Sequence, residues 1–239
     1  MMSPTQWFAP VAVLLLAGCA SPQQPPSPAA SGPVSASVSA EPSEPAGESP
    51  ESSAAPIDAA ALERTGDVIP PGRYTRVDFV PRITFEVTDG AWYAEQLYTG
   101  FFDVQQDVGS PDVIAVQFAK PSEIYSEHGT SVRVESAEGA AAAVRGNPGL
   151  TIIGDSAALM DGRDGFVVEV EHAGASTSNV GVMAVPPGPL SIAPDRRLWI
   201  AFFDTDDGVL AVMVGGSVAR WDEALAAAEP ILETVTIGR

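Results

Sequence analysis

Lysine is almost missing: the 239-residue sequence has one, Lys120, beside eleven arginines and against 31 acidic residues. The resulting net charge of −19 repels phosphate backbones and anionic headgroups, which excludes nucleic acid as a partner. Cysteine occurs once, at Cys19, so no disulfide forms within the chain and no thiol nucleophile or cysteine-based metal site exists downstream. The only histidines, His128 and His172, stand in no ligand spacing such as HExxH, which sets zinc catalysis aside. Both are expected to face solvent, His128 in a polar loop and His172 at a strand end. Walker, GxGxxG and SxxK patterns are absent as well, so the sequence points to no cofactor.

The first apolar stretch, Trp7 to Ala17, is eleven residues long. That is too short to span about 30 Å of hydrocarbon, and it suits the apolar part of a secretory signal. It runs into Leu16-Ala17-Gly18-Cys19, which resembles the lipobox of bacterial lipoproteins. The resemblance implies cleavage after Gly18, acyl chains (palmitate among them) on Cys19, and a place on the extracytoplasmic side of a cell membrane or envelope. The segment MMSPTQ before it has no Lys or Arg, a departure from the family's pattern, in which positive charge orients the signal. The competing reading is a buried apolar helix with a core cysteine; Pro10 and the polar segment after Cys19 count against it.

Residues 20 to about 65 are rich in Ser, Pro, Ala and Glu and have little to bury, so folding there would not offset the ordering entropy. As a coil they would span roughly 40 Å, and fully stretched about 150 Å. The expected organisation is a signal peptide over 1–18, a lipidated disordered tether over 19–65, with a short helical turn conceivable around Ile57–Leu62, and one globular domain over 66–239.

The pattern changes beyond Thr65. Ile83, Phe85 and Val87 alternate with Thr84, Glu86 and Thr88, the period of a half-buried strand, and Asp89-Gly90 predicts a hairpin to the next strand at Trp92–Leu97. Further strands are predicted at 100–106, 113–119, 166–171, 180–185, 198–203 and 209–214, with turns at DGRDG (161–165) and DTDDG (204–208). Ser136 caps a predicted alanine-rich helix ending at Arg145 before GNPG. A second runs from Ser217 to Val235, with Trp221, Leu225, Ala228, Leu232 and Val235 as its apolar stripe and Pro230 as a kink or break. The fold class expected is α+β, an antiparallel multi-stranded sheet with two helices, one of them C-terminal.

The hairpin LWIAFF…DDG…VLAVMV leading into a helix that ends AEPILETV is similar to the end of PsbP/Mog1-like domains and of exported lipoproteins of unknown function. PPGRYTRVDFVPRITFEV before Trp92 resembles the latter too. The resemblance implies a non-enzymatic accessory or binding role and carries no catalytic residue with it.

Three candidate chemistries are weighed. Gly154-Asp155-Ser156 partly mimics a nucleophile elbow, with His172 downstream; a hydrolase would need Ser156 on a strand-to-helix turn. Asp204, Asp206 and Asp207 could form a weak calcium site, although the spacing is not that of an EF-hand and an acidic hairpin accounts for them. Trp199 would lie opposite Leu198, Ile200 and Phe202 on its strand and so needs cover from a helix or a ligand. The leading expectation is a membrane-anchored binding or accessory module taking an envelope protein, glycan or lipid through loops such as VPPGPLSIAPD (185–195). The alternatives are a lipid carrier with an apolar cavity and a serine hydrolase using Ser156.

Overall fold

A computed structural model describes residues 59–89, 91–126, 130–174 and 177–238. Cys19, the signal and tether sequences up to residue 58, and His128 lie outside the described residues. The fold is α+β, with mostly antiparallel sheets and two helices, one C-terminal.

An eight-stranded antiparallel sheet forms the centre. Its spatial order is β10 (Leu150–Met160), β11 (Arg163–His172), β14 (Arg196–Thr205), β15 (Gly208–Ser217), β7 (Ile114–Ala119), β6 (Phe101–Gln106), β5 (Trp92–Tyr98) and β2 (Asp67–Ile69). A four-stranded sheet follows the order β1 (Ala60–Ala61), β3 (Gly72–Arg76), β4 (Ile83–Val87) and β16 (Thr236–Ile237). A third sheet has the order β13 (Gly188–Ile192), β12 (Val180–Val185), β8 (Glu123–Tyr125) and β9 (Ser131–Arg133). Helix α1 spans Ala137–Arg145 and helix α2 spans Trp221–Thr234, after a 3-10 turn at Val218–Arg220.

Both faces of the central sheet are covered, and β14 shows how. Leu198, Ile200 and Phe202 pack into one core with Ala140, Ala141 and Val144 of α1 and Met183 of β12. Ala201 and Phe203 pack into the other with Phe85 of β4 and Ala224 and Ala228 of α2, and Trp199 lies against that core half-buried. The cover that Trp199 requires is therefore protein. Aromatic rings fill the second core: Phe102 stacks on Phe118 at 4.6 Å, Phe118 on Phe85 at 5.7 Å, and Phe79 meets Phe102 edge-on at 5.1 Å. Such pairs contribute about 0.5–1.5 kcal/mol each beyond their buried area.

Ser136 caps α1 as its sequence predicts, its hydroxyl accepting from the Gly139 amide at 3.1 Å. The DTDDG turn joins β14 to β15 in register from Thr205–Gly208 inward. Four expectations are corrected. Asp89-Gly90 does not join paired strands: β4 pairs with β3 and β16, while β5 belongs to the central sheet. Local turn chemistry could not reveal that Ile83, Phe85 and Val87 cross to a different layer. Residues 185–195 are no free loop, because 188–192 form β13 and pair with β12; an edge strand tolerates Pro189, which need not donate. The folded part starts before residue 66, since Ala60–Ala61 pair in parallel with Tyr74–Thr75 and Leu62 is buried in the core. Of the helical turn expected around Ile57–Leu62, residues 57 and 58 lie outside the described residues and Ala60–Ala61 are strand. Finally, of a kink or a break at Pro230 the break is set aside, since α2 runs unbroken from Trp221 to Thr234. The carbonyl that Pro230 leaves unbonded is that of Ala226, on the exposed side of the helix, where water can satisfy it. The buried stripe of α2 is Trp221, Ala224, Ala228 and Ile231, with Leu225 and Leu232 only partly covered.

Candidate functional site

The residues that the sequence singles out do not assemble. Ser156 lies in the middle of strand β10 opposite Val167, whereas His172 faces Leu150 at the strand's other end. No strand-to-helix turn surrounds Ser156, so the elbow geometry is absent. His172 is buried rather than solvent-facing. Its Nδ1 accepts from the Gly174 amide at 3.0 Å and its Nε2 lies 2.9 Å from the Ser178 carbonyl, which is the pattern of an Nε2–H tautomer tying a strand end to the following loop. Asp204 is also occupied: its Oδ1 accepts from the Ala137 amide at 2.9 Å, at the start of α1. Among the described residues no group of three or more His, Cys, Asp or Glu is placed to hold a metal, and Asp206 and Asp207 form the hairpin turn.

What the fold does build is a cleft of about 620 Å³ where the third sheet meets the segment after α1. Tyr125 from β8, Gly181 from β12 and Ser191 from β13 line it together with Asn147, Pro148 and Gly149. Asn147 fixes this junction. Buried itself, it donates through Nδ2 to the carbonyls of Tyr125 and Gly181, both at 2.9 Å, and accepts through Oδ1 from the Gly149 amide at 3.0 Å. One side chain thus stitches β8, β12 and the end of α1 together. Two glycines permit the close approach. A Cβ at Gly181 would sit 2.9 Å from the Tyr125 ring, and one at Gly149 would sit 2.6 Å from a Val180 methyl. The sequence held a signal for this site in GNPG, which reads only as a helix stop; the partners at 125, 181 and 191 are too distant for pattern reading to join.

Two smaller clefts, of about 340 and 350 Å³, lie beside the first and share Ser191 with it. Gln117 of β7 lines both, and Gln96 of β5 lines the smaller. These two residues also bond to Asp103 of β6, a carboxylate with no exposed surface. The Gln96 amide donates to Oδ1 at 2.8 Å and Gln105 Nε2 donates to Oδ2 at 2.7 Å. Burial pushes the Asp103 pKa up to about 6, and the nearby Glu95 charge adds to it; the hydrogen bonds from Gln105, Gln96 and Gln117 oppose the rise.

The sequence matches no protein-family model and no curated protein. Among solved structures, the solution structure of CyanoP, the cyanobacterial PsbP of Synechocystis sp. PCC 6803, aligns with 74% of this chain and 98% of its own at 15% identity and a TM-score of 0.39. The crystal structure of LpqN, involved in cell envelope biogenesis of Mycobacterium tuberculosis, aligns with 73% of this chain and 91% of its own at 13% identity and a TM-score of 0.37.

Proposed function

We propose that this chain is an exported lipoprotein, held to a membrane by lipid on Cys19, and that its folded body is a non-enzymatic module binding an uncharged ligand in the cleft lined by Tyr125, Asn147 and Ser191. The lining of that cleft carries the reading. None of its ten described residues is Asp, Glu, Lys, Arg or His, in a chain with a net charge of −19. A neutral, mostly apolar lining on so acidic a protein selects by shape and apolar contact, and the amide of Asn179 with the hydroxyls of Ser126 and Ser191 adds hydrogen bonding for a neutral ligand such as a glycan or an uncharged peptide. The Leu16-Ala17-Gly18-Cys19 pattern supports the anchor. The lipid-carrier alternative is disfavoured by the packing: on both faces of the central sheet, side chains such as Ile200, Phe202, Phe203 and Phe118 have no exposed surface.

Two measurements test the two halves. In a bacterial host, labelled palmitate is expected to enter the wild-type chain and not Cys19→Ala, which should also leave the membrane fraction; equal labelling of both defeats the anchor. For the cleft, a panel of neutral oligosaccharides is titrated against the chain at low and high salt. Affinity independent of salt and lost in Ser191→Trp, which fills the cleft from an exposed position, is the expected result; binding that weakens steeply with salt would refute an uncharged site.

A further inference from the structure

Six strands end the three sheets among the described residues, and five of them are poor templates for another strand. β1 and β16 have two residues each, β2 and β9 three, and β13 five with Pro189 among them. The sixth is β10, eleven residues long, with no Lys, Arg or Pro, and paired among the described residues with β11 along one side only. Natural sheets blunt their free edges by brevity, charge, proline or bulges, because unpaired backbone groups otherwise recruit another strand. β10 has one such device, a bulge between Ile152 and Gly154 near its start. The segment Gly154–Met160 beyond it is regular. Met160 is buried and Ala158 packs against the core, but Leu159 is left 73% exposed, and Ile153, in the bulge before the segment, is 43% exposed. The single charge on the strand, Asp155, is matched from within the chain by Arg145 at the end of α1, whose Nη2 lies 3.0 Å from Oδ1.

We propose that the free edge of β10 is the contact surface for a second copy of this chain, the two β10 strands pairing antiparallel about a two-fold axis at Ala157 so that the central sheets become continuous. A two-fold contact uses the same patch on both copies, so the patch must complement itself. The axis at Ala157 lays the regular segment against itself. Gly154 then faces Met160, Ser156 faces Ala158, and Asp155 faces Leu159, so that no two charged side chains stand directly opposite each other. An axis at Asp155 would set two carboxylates directly opposite each other, which like-charge repulsion disfavours. With Asp155 paired to Arg145, the strip itself carries no unmatched charge, so a basic partner gains little charge attraction along it and two copies meet there without setting like charges directly opposite. The contact area is on the order of 1,000 Å² for seven paired residues a side, at the low end for specific interfaces, so the association is concentration-dependent and strengthened by salt.

The test uses the full-length chain in detergent with Cys19→Ala, so that an introduced thiol is the only one and the outcome does not depend on lipid at Cys19. Ala157→Cys, at an exposed position, is expected to give a disulfide-linked dimer on mild oxidation. Thr151→Cys, whose partner in this register would lie beyond the strand's end, is expected to stay monomeric. Adding Ile153→Lys and Leu159→Lys to Ala157→Cys should cut cross-linking by about tenfold or more while the thermal melt is unchanged, because both side chains already face solvent. Sedimentation of the chain without introduced thiols should show a monomer–dimer equilibrium that moves toward dimer as salt rises. Cross-linking no greater in Ala157→Cys than in Thr151→Cys, a dimer indifferent to the two lysines, or a monomer at every concentration would each overturn the assignment.

Discussion

Replacing Asp103 by Asn should make the protein more stable at neutral pH, and the size of the gain should depend on pH. The carboxylate has no exposed surface and a pKa raised from 3.8 to about 6, chiefly by burial. A folded state that binds its proton more tightly than the unfolded chain is favoured at low pH. Asp103 therefore costs nothing below about pH 4, becomes progressively unfavourable as pH rises through the interval between 3.8 and about 6, and holds a constant penalty above it. That penalty is about 3 kcal/mol, since each tenfold change in proton affinity corresponds to about 1.4 kcal/mol. Asn keeps the acceptor for the Gln96 amide, and the Gln105 side-chain amide can turn to accept from the new NH₂. The assay is urea unfolding of wild type and Asp103→Asn from about pH 4 to about pH 8, followed by tryptophan fluorescence and read as the difference between the two, so that other carboxylates cancel. The difference should shift in favour of the variant by about 3 kcal/mol across the range, or roughly 6–12 °C in melting temperature for a domain of this size. A difference that stays flat with pH would show that Asp103 titrates normally in the folded protein and would refute the reasoning.

Asn147→Ala leaves two half-buried carbonyls and one amide without their partner and should cost about 1–3 kcal/mol in urea unfolding, with loss of cleft binding even where the chain stays folded. Gly165→Ala should destabilise by about 1–3 kcal/mol, because the new Cβ would stand 2.5 Å from the Phe203 ring and 2.6 Å from the Phe202 carbonyl across the β11–β14 pair. A melting temperature unchanged in Gly165→Ala would mean that the two strands are not held in that register.

Much of the fold is legible in the sequence where one rule decides. β4 reads as a strand because only Ile83, Phe85 and Val87 are buried, and α1 reads as a helix because an alanine-rich run follows Ser136, which is placed to cap it. β14 and β15 are legible as strands but not as to face: with both sides of the sheet covered, the burial of Leu198 and of Ala201 follows from layers built elsewhere in the chain. Sheet membership is the least legible property, as Asp89-Gly90 shows, because a turn residue fixes local geometry and not the long-range partner of the strand after it. Asp103 gives no warning in FFDVQQ; its neighbours on the same face, Phe101 and Gln105, are as compatible with an outer position as with an inner one. His172 misleads for the opposite reason, since a polar residue at a strand end is usually wet, and here a loop folds back to bond it.

The short segment after α1 is where these threads meet. Arg145, the last helical residue, holds Asp155 on the open edge of β10. Gly146 closes the helix by donating to the carbonyls of Ala142 and Ala143 at 3.1 and 3.2 Å. Asn147 bonds β8 and β12, Gly149 lets Val180 approach, and Leu150 begins β10. Five successive functions within six residues leave little conformational freedom, because each backbone position is set by a partner on a different element. The cleft is therefore shaped by hydrogen bonds that the fold itself requires, and its described walls should change little when a ligand enters. A site preformed in this way loses less ordering entropy on binding than one assembled from loops. It follows that substitutions at Gly149 or Gly181 should weaken binding through the frame, by displacing Val180 or Tyr125, while Ser191, on the exposed face of an edge strand, offers the one wall that can be altered without disturbing the rest.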